Sequence, residues 1–212
     1  MGETPVHTRR THDRRFPLHV RREMILDAAF EASRRRGGID ISMTDLAREA
    51  GISRNLLYHH FHSPAALFSN LIERETRRVC ERLDAVGPAG TPEERARRMI
   101  AAYLLSFDGH GETLKRLSAD KADPQDPVDC AVRKTAEAFA RGLAGVFGAA
   151  DSATVVEELY RFAGFVLRFV RDAEGPLADD PAALSVCTEM CVGTVRQALG
   201  KEACLKRLAL AR

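Results

Sequence analysis

The chain has 212 residues, of which 45% are hydrophobic and 29% charged, the balance of a globular protein with a real core in one large or two small domains. No apolar run approaches the roughly 18 residues that cross a bilayer and no apolar leader opens the chain, so a cytoplasmic protein away from membranes is expected; five scattered cysteines, an odd number, argue against a disulfide framework and for reduced thiols. The net charge of +2 hides an asymmetry, because residues 1–60 hold 11 Arg against 8 acidic residues while the remainder is nearly neutral.

Residues 1–19 carry Arg9, Arg10, Arg14 and Arg15 with three histidines and few apolar side chains. They read as a flexible basic arm or as a leader with no specific role. From Val20 to Arg36, Met24, Ile25, Ala28, Ala29 and Ala32 recur at three- and four-residue steps and predict a helix that ends at Gly37-Gly38. The stretch Ser42 to Phe61, SMTDLAREAGISRNLLYHHF, then reads as two short helices and a turn. Ser42 is an N-cap with Asp45 at the carboxylate position of a capping box. Leu46, Ala47 and Ala50 share one face, Gly51 turns the chain left-handed, and Ser53 caps a second helix with Leu57 and Phe61 inward. Together they make a helix-turn-helix over residues 20–63. Ser63 and Pro64 open a long helix, about 64–86, with Leu67, Phe68, Leu71, Ile72, Val79 and Leu83 as its stripe.

Gly87 to Pro92 reads as a linker to a C-terminal domain spanning 92–212. Helical patterns follow at 92–107, in a short piece around Leu114 and Leu117, and at 127–148. Gly142, Gly145 and Gly148 mark close helix approach or a fraying end. Two further patterns, 152–171 and 180–199, are apolar around most of their circumference and need neighbours on more than one side; a second copy of the chain is the simplest source. No strand alternation survives, so the fold is expected to be all-α.

The segment Arg22 to Leu71 resembles the N-terminal domain of TetR-family transcriptional regulators. The carriers are Leu46-Ala47, Gly51-Ile52-Ser53 and Leu57-Tyr58-His59-His60-Phe61, in the order of the family's L-A-x-x-x-G-[VI]-S turn and L-Y-x-H-F ending. The resemblance implies a homodimer that binds double-stranded operator DNA and senses a small-molecule effector in the C-terminal domain. It places Arg54, Asn55, Leu56, Tyr58 and His59 on the recognition helix, with Ser42 and Thr44 at a phosphate. Arg54 suits guanine and Asn55 adenine; Leu56 meets a thymine methyl or packs locally. Pro64 stands where many relatives carry a phosphate-holding Lys. The basic excess of the first 60 residues faces the right partner, and the arm follows phosphates or a minor groove if it binds at all.

For an effector, Tyr103, Phe107, His110, Phe139, Tyr160 and Phe162 offer apolar walls, and Arg161, Arg168 and Arg171 offer anchors that suggest an anion or merely solubilise a helix. The family's last two long helices form its four-helix dimer interface, which points to Val155, Leu159, Phe162, Val166, Phe169, Leu184, Cys187, Met190, Cys191 and Val195. Cys187 and Cys191, four apart on an apolar helix, read as inert core thiols before a thiol sensor or a metal pair. His59, His60 and His62 lack nearby ligands for a metal set, so no metal is expected. No nucleophile–base pairing, phosphate loop or cofactor motif is found, so neither an enzyme nor a cofactor is expected. The leading reading is a repressor released from a palindromic operator by its effector; the alternative is a ligand-independent or architectural DNA-binding dimer.

Overall fold

A computed structural model describes residues 16–36, 41–107, 127–173 and 175–210, the last six by their backbone alone. The arm, His110 and the short helix around Leu114 and Leu117 lie outside the described residues. Among these residues the regular elements are helices: α1 (Leu18–Arg36), α2 (Met43–Glu49), α3 (Arg54–His60), α4 (Pro64–Asp84), α5 (Pro92–Leu105), α6 (Pro127–Val146), α7 (Ala153–Asp172) and α8 (Pro181–Leu210). The all-α expectation holds.

Local chemistry sets the ends. The hydroxyls of Ser42, Ser53 and Ser63 accept the backbone N–H of Asp45, Leu56 and Ala66, each satisfying a donor that a helix start leaves unpaired. Gly51 sits at φ +65°. Its N–H donates to the Arg48 carbonyl, and that of Ile52 to the Ala47 carbonyl, the paired bonds of a Schellman stop. Gly148 ends α6 in the same way at φ +66°, with Ala149 N–H on the Ala144 carbonyl. Gly142 has the other role, close approach: a Cβ there would stand 2.9 Å from Met99 Sδ.

Two cores result. Ile25, Leu26, Ala29, Leu46, Leu57, Phe61, Leu67, Phe68 and Leu71 bury together in a head. Val79, Leu83, Ile100, Tyr103, Phe139, Leu143, Leu159 and Val166 are among those that form a body. Helix α4 belongs to both, so the head–body division falls inside it, between Leu71 and Val79. The Gly87–Pro92 stretch is a pinned turn: Arg98 Nη2 donates to the carbonyls of Gly87, at 3.2 Å, and Ala89. A capping box between Thr91 and Glu94 starts α5 directly behind it. Helix α8 runs well past residue 199 because Lys201 pairs with Glu158 at 3.0 Å and Glu202 accepts from Ser152 at 2.6 Å, docking the extension on α7. Among the described residues no helix is long and apolar enough to cross a membrane.

Candidate nucleic-acid interface

Helix α3 has one buried side, formed by Leu57, and an outward side carrying Arg54, Asn55 and His59. The Arg54 guanidinium lies 5.4 Å from the centre of the Tyr58 ring, a cation–π contact that narrows the positions of a long, exposed side chain. Tyr58 itself is half-buried against the head core. Leu56 is half-buried and its N–H serves the Ser53 cap. Ser42 and Thr44 are exposed at the start of α2, on the same joint. The seven expected DNA-facing residues therefore stand on two adjoining helix starts and one exposed helix face.

The Ser42 hydroxyl also donates to Asp45 Oδ2 at 2.9 Å. That bond, with the charges of Arg48 and Arg36 behind it, holds the Asp45 carboxyl below its ordinary range. Asp45 in turn gathers Arg48 at 2.5 Å and Arg36 at 3.5 Å. Two cations thus stand at the α2 start beside Ser42 and Thr44. Sequence reading passed over both; an Arg one turn past a helix start, three residues after an acid, is the signal that could have found Arg48.

What fixes α3 in place is a pair of long-range arginines. Arg22 of α1 donates to the His60 carbonyl at 3.1 Å and to Asn70 Oδ1 at 2.7 Å, and lies 4.4 Å over the Phe61 ring. It satisfies a carbonyl at the α3 end and favours that negative pole. Arg74 of α4, nearly buried, reaches Asp27 at 2.9 Å and Glu23 at 3.1 Å, and holds Glu75 at 2.8 Å. The head and the first half of α4 are thereby tied into one unit. Neither arginine could be singled out from sequence, because their partners lie 38–51 residues away.

The body residues sort differently from expectation. Tyr103 and Phe139 are fully buried and stacked, rings 4.1 Å apart and 6° from parallel, with Phe107 edge-on at 5.0 Å. Tyr160 is half-buried beside a shallow groove of about 430 Å³ that includes Glu137, Arg141 and Glu157. Arg161 is on the surface, held by Glu157 at 2.6 Å and Glu158 at 3.3 Å; Arg168 is exposed, and Arg171 pairs with Asp172. The candidate walls come together at Tyr103 and Phe139, whereas the candidate anchors stay outside.

Of the residues expected at a dimer interface, Val155, Leu159, Phe162, Val166, Leu184, Cys187, Cys191 and Val195 are enclosed by their own chain. Phe169 is half-buried and Met190 is exposed, one turn from exposed Val186; Leu199 is exposed too, and neither Val186 nor Leu199 is among the residues expected at the interface. Burial raises the pKa of the Cys187 thiol, and burial together with Cys187 pushes Cys191 up to about 12; both thiols stay protonated and unreactive at neutral pH, against the sensor alternative.

A Ser-capped joint of two short helices, backed by α1 and carried on an all-helical body, is the build of a helix-turn-helix DNA-binding transcriptional regulator. Residues 25–71 match the model of the bacterial regulatory proteins of the tetR family, and that match, with the relatives and folds below, supports a TetR-family regulator. It is 27% identical over 175 residues to the HTH-type transcriptional regulator BetI of Brucella anthropi, across 78% of this chain and 89% of that one. The BetI of Agrobacterium fabrum is 36% identical over 98 residues, 45% of this chain and about half, 47%, of its own length. Among solved structures, a tetR-family regulator from Streptomyces coelicolor superposes with a TM-score of 0.66 at 20% identity, over 92% of this chain and 99% of that chain.

Proposed function

We propose that the protein is a homodimeric repressor in the cytoplasm that binds a palindromic operator and is released from it by a small-molecule effector. Two heads would occupy half-sites about one helical turn apart. Arg54 and Asn55 would read base edges, Tyr58, His59, Ser42 and Thr44 would hold phosphates, and Leu56 would meet a thymine methyl. The observation that carries the reading is the sharing of α4: Leu67, Phe68 and Leu71 serve the head core, while Val79 and Leu83 serve the body core. A ligand that repacks the body then shifts the head, with a coupling equal to its difference in affinity for the two states. The outer faces of α7 and α8, with Phe169, Val186 and Met190, are the surface left for a second copy.

The test is selection of random duplex DNA by the purified protein, followed by titration of the selected site at several salt concentrations. A palindromic site bound far more tightly than random DNA supports a dimeric sequence reader. Binding that depends on salt but not on sequence would leave phosphate attraction alone and favour an architectural DNA binder.

A further inference from the structure

Among the described residues the body has two buried polar atoms without a partner, Arg95 Nε at the start of α5 and the Tyr103 hydroxyl, of which only the second belongs to a fully buried side chain. The Tyr103 side chain is fully buried, and its hydroxyl has no hydrogen-bond partner. Thr135 stands beside it, also buried and close enough to hold the phenol pKa down a little against the burial that raises it; its hydroxyl donates to the Val132 carbonyl at 2.9 Å, and the two hydroxyls do not meet in hydrogen-bonding geometry. A buried hydroxyl without a partner costs free energy that a phenylalanine at the same place would not. The surroundings are planar and apolar: Phe139 stacked on one face, Phe107 at the edge, and beyond Phe139 the near-parallel rings of Phe162, Phe165 and Phe169. Among the described residues no charged side chain is buried in this core, Thr135 being its one other buried polar side chain. The arginines of α7 are on the surface, engaged with Glu157, Glu158 and Asp172 or exposed.

We infer that the Tyr103 hydroxyl is the recognition group of a ligand site between the end of α5 and the middle of α6, and that its ligand is an uncharged, largely planar compound with a single hydrogen-bonding group. This rests on the effector reading above and narrows it, because an anion would be stripped of water there with no buried cation among the described residues to meet it. The ligand separates Tyr103 and Phe107 from Phe139, keeps aromatic faces on both sides, and supplies the hydroxyl with the bond it lacks. The rearranged α5–α6 contact also bears on α4, which packs on both helices.

Three probes share one ring system and differ in the relevant chemistry: 1-naphthol, naphthalene and naphthalene-1-sulfonate. Equilibrium dialysis against the full chain should show 1-naphthol binding about tenfold more tightly than naphthalene, and the sulfonate about tenfold more weakly than 1-naphthol or worse. Tyr103→Phe should bring the naphthol-to-naphthalene ratio close to one while its Tm stays level or rises. A Tm that falls in Tyr103→Phe would mean that the hydroxyl is a structural bond and would overturn the inference. So would an unchanged ratio, a preference for the sulfonate, or no binding of 1-naphthol. Operator titration separates this inference from the reading beneath it. If 1-naphthol binds through Tyr103 yet operator affinity stays constant, the site stands and the effector role fails. If another compound releases operator without displacing 1-naphthol, the effector role stands and this site fails.

Discussion

The head and the body are held together by different means. In the head, short helices with small apolar faces are fixed by directional bonds: three serine caps, the Gly51 stop, and the arginine ties of Arg22 and Arg74. In the body, long helices are fixed mainly by apolar area, with polar ties such as Lys201–Glu158 and Ser152–Glu202 at the rim, and the Tyr103 hydroxyl at its centre goes unpaired. Directional bonds define one geometry and resist small adjustments, which suits a surface that must present Arg54 and Asn55 at fixed positions. Apolar packing has neighbouring arrangements of similar energy, which would suit a core that repacks around the proposed effector. The proposed switch needs both, joined by an element that belongs to each, as α4 does.

The largest effect expected follows from cutting each core at a fully buried leucine. Leu57→Ala and Leu143→Ala each remove a side chain with no exposed surface and should cost about 2–5 kcal/mol. The consequences should differ. Leu57→Ala should weaken operator binding strongly, because Leu57 is the one fully buried side chain of α3 and its loss leaves Arg22, Tyr58 and Phe61 to hold the helix. Leu143→Ala should lower the Tm while operator affinity stays within about threefold at a temperature where the protein remains folded. Equal losses of operator affinity in the two variants would erase the distinction between the regions. Next in size is Arg74→Met, which keeps the apolar stem but not the charge. Glu23 and Asp27 are more than half exposed and can return to water, so the loss should be about 1–2 kcal/mol in urea unfolding. Operator affinity should fall with it, since the head is no longer clamped to α4. A variant as stable as the parent would show that the tie contributes nothing net.

A smaller effect tests the caps. Ser53→Ala removes the hydroxyl that accepts the Leu56 N–H and should cost about 1 kcal/mol. Ser152→Ala, which loses the equivalent bond at α7 and the contact with Glu202, should cost a similar amount in stability and leave operator binding unchanged. The parallel marks what could be read from the chain alone. Caps and stops involve residues three to five apart, so Ser42, Ser53, Ser63 and Gly51 were legible as sequence. The Thr91–Glu94 box was equally legible and was overlooked beneath the glycines and prolines around it. Arg22 and Arg74 were not legible, because an arginine's partner 48 or 51 residues away leaves no local pattern. The dimer face was legible only as a need: all-round apolarity on α7 and α8 says that neighbours exist on two sides. It does not say that Val155, Cys187 and Cys191 face the chain's own core while Val186 and Met190 face out.

The smallest effect concerns a histidine at the junction of the two kinds of bonding. His60 ends α3; its carbonyl receives Arg22, while its ring is half-buried with Nε2 enclosed and unpaired. Burial first, then the nearby charges of His59, Arg21 and Arg22, pushes its pKa below the ordinary histidine value. The unfolded chain, with an ordinary pKa of about 6.5, therefore takes up the proton at a higher pH than the folded head does. Stability from this group is fully present above that value and is lost as pH falls from there through the lower folded pKa. Asp45, also lowered, acts in the same direction, but only from the carboxylate range downward, below the pH values of this titration. Urea unfolding at pH 8, 7, 6 and 5 should show the parent losing stability across the lower pair of values, and His60→Gln, which keeps the carbonyl for Arg22, losing less. If His60→Gln follows the same pH curve as the parent, the neutral ring is not what the head requires. The Arg22 tie to the main chain would then be the whole of the contribution of residue 60, and the head would depend on directional bonds alone.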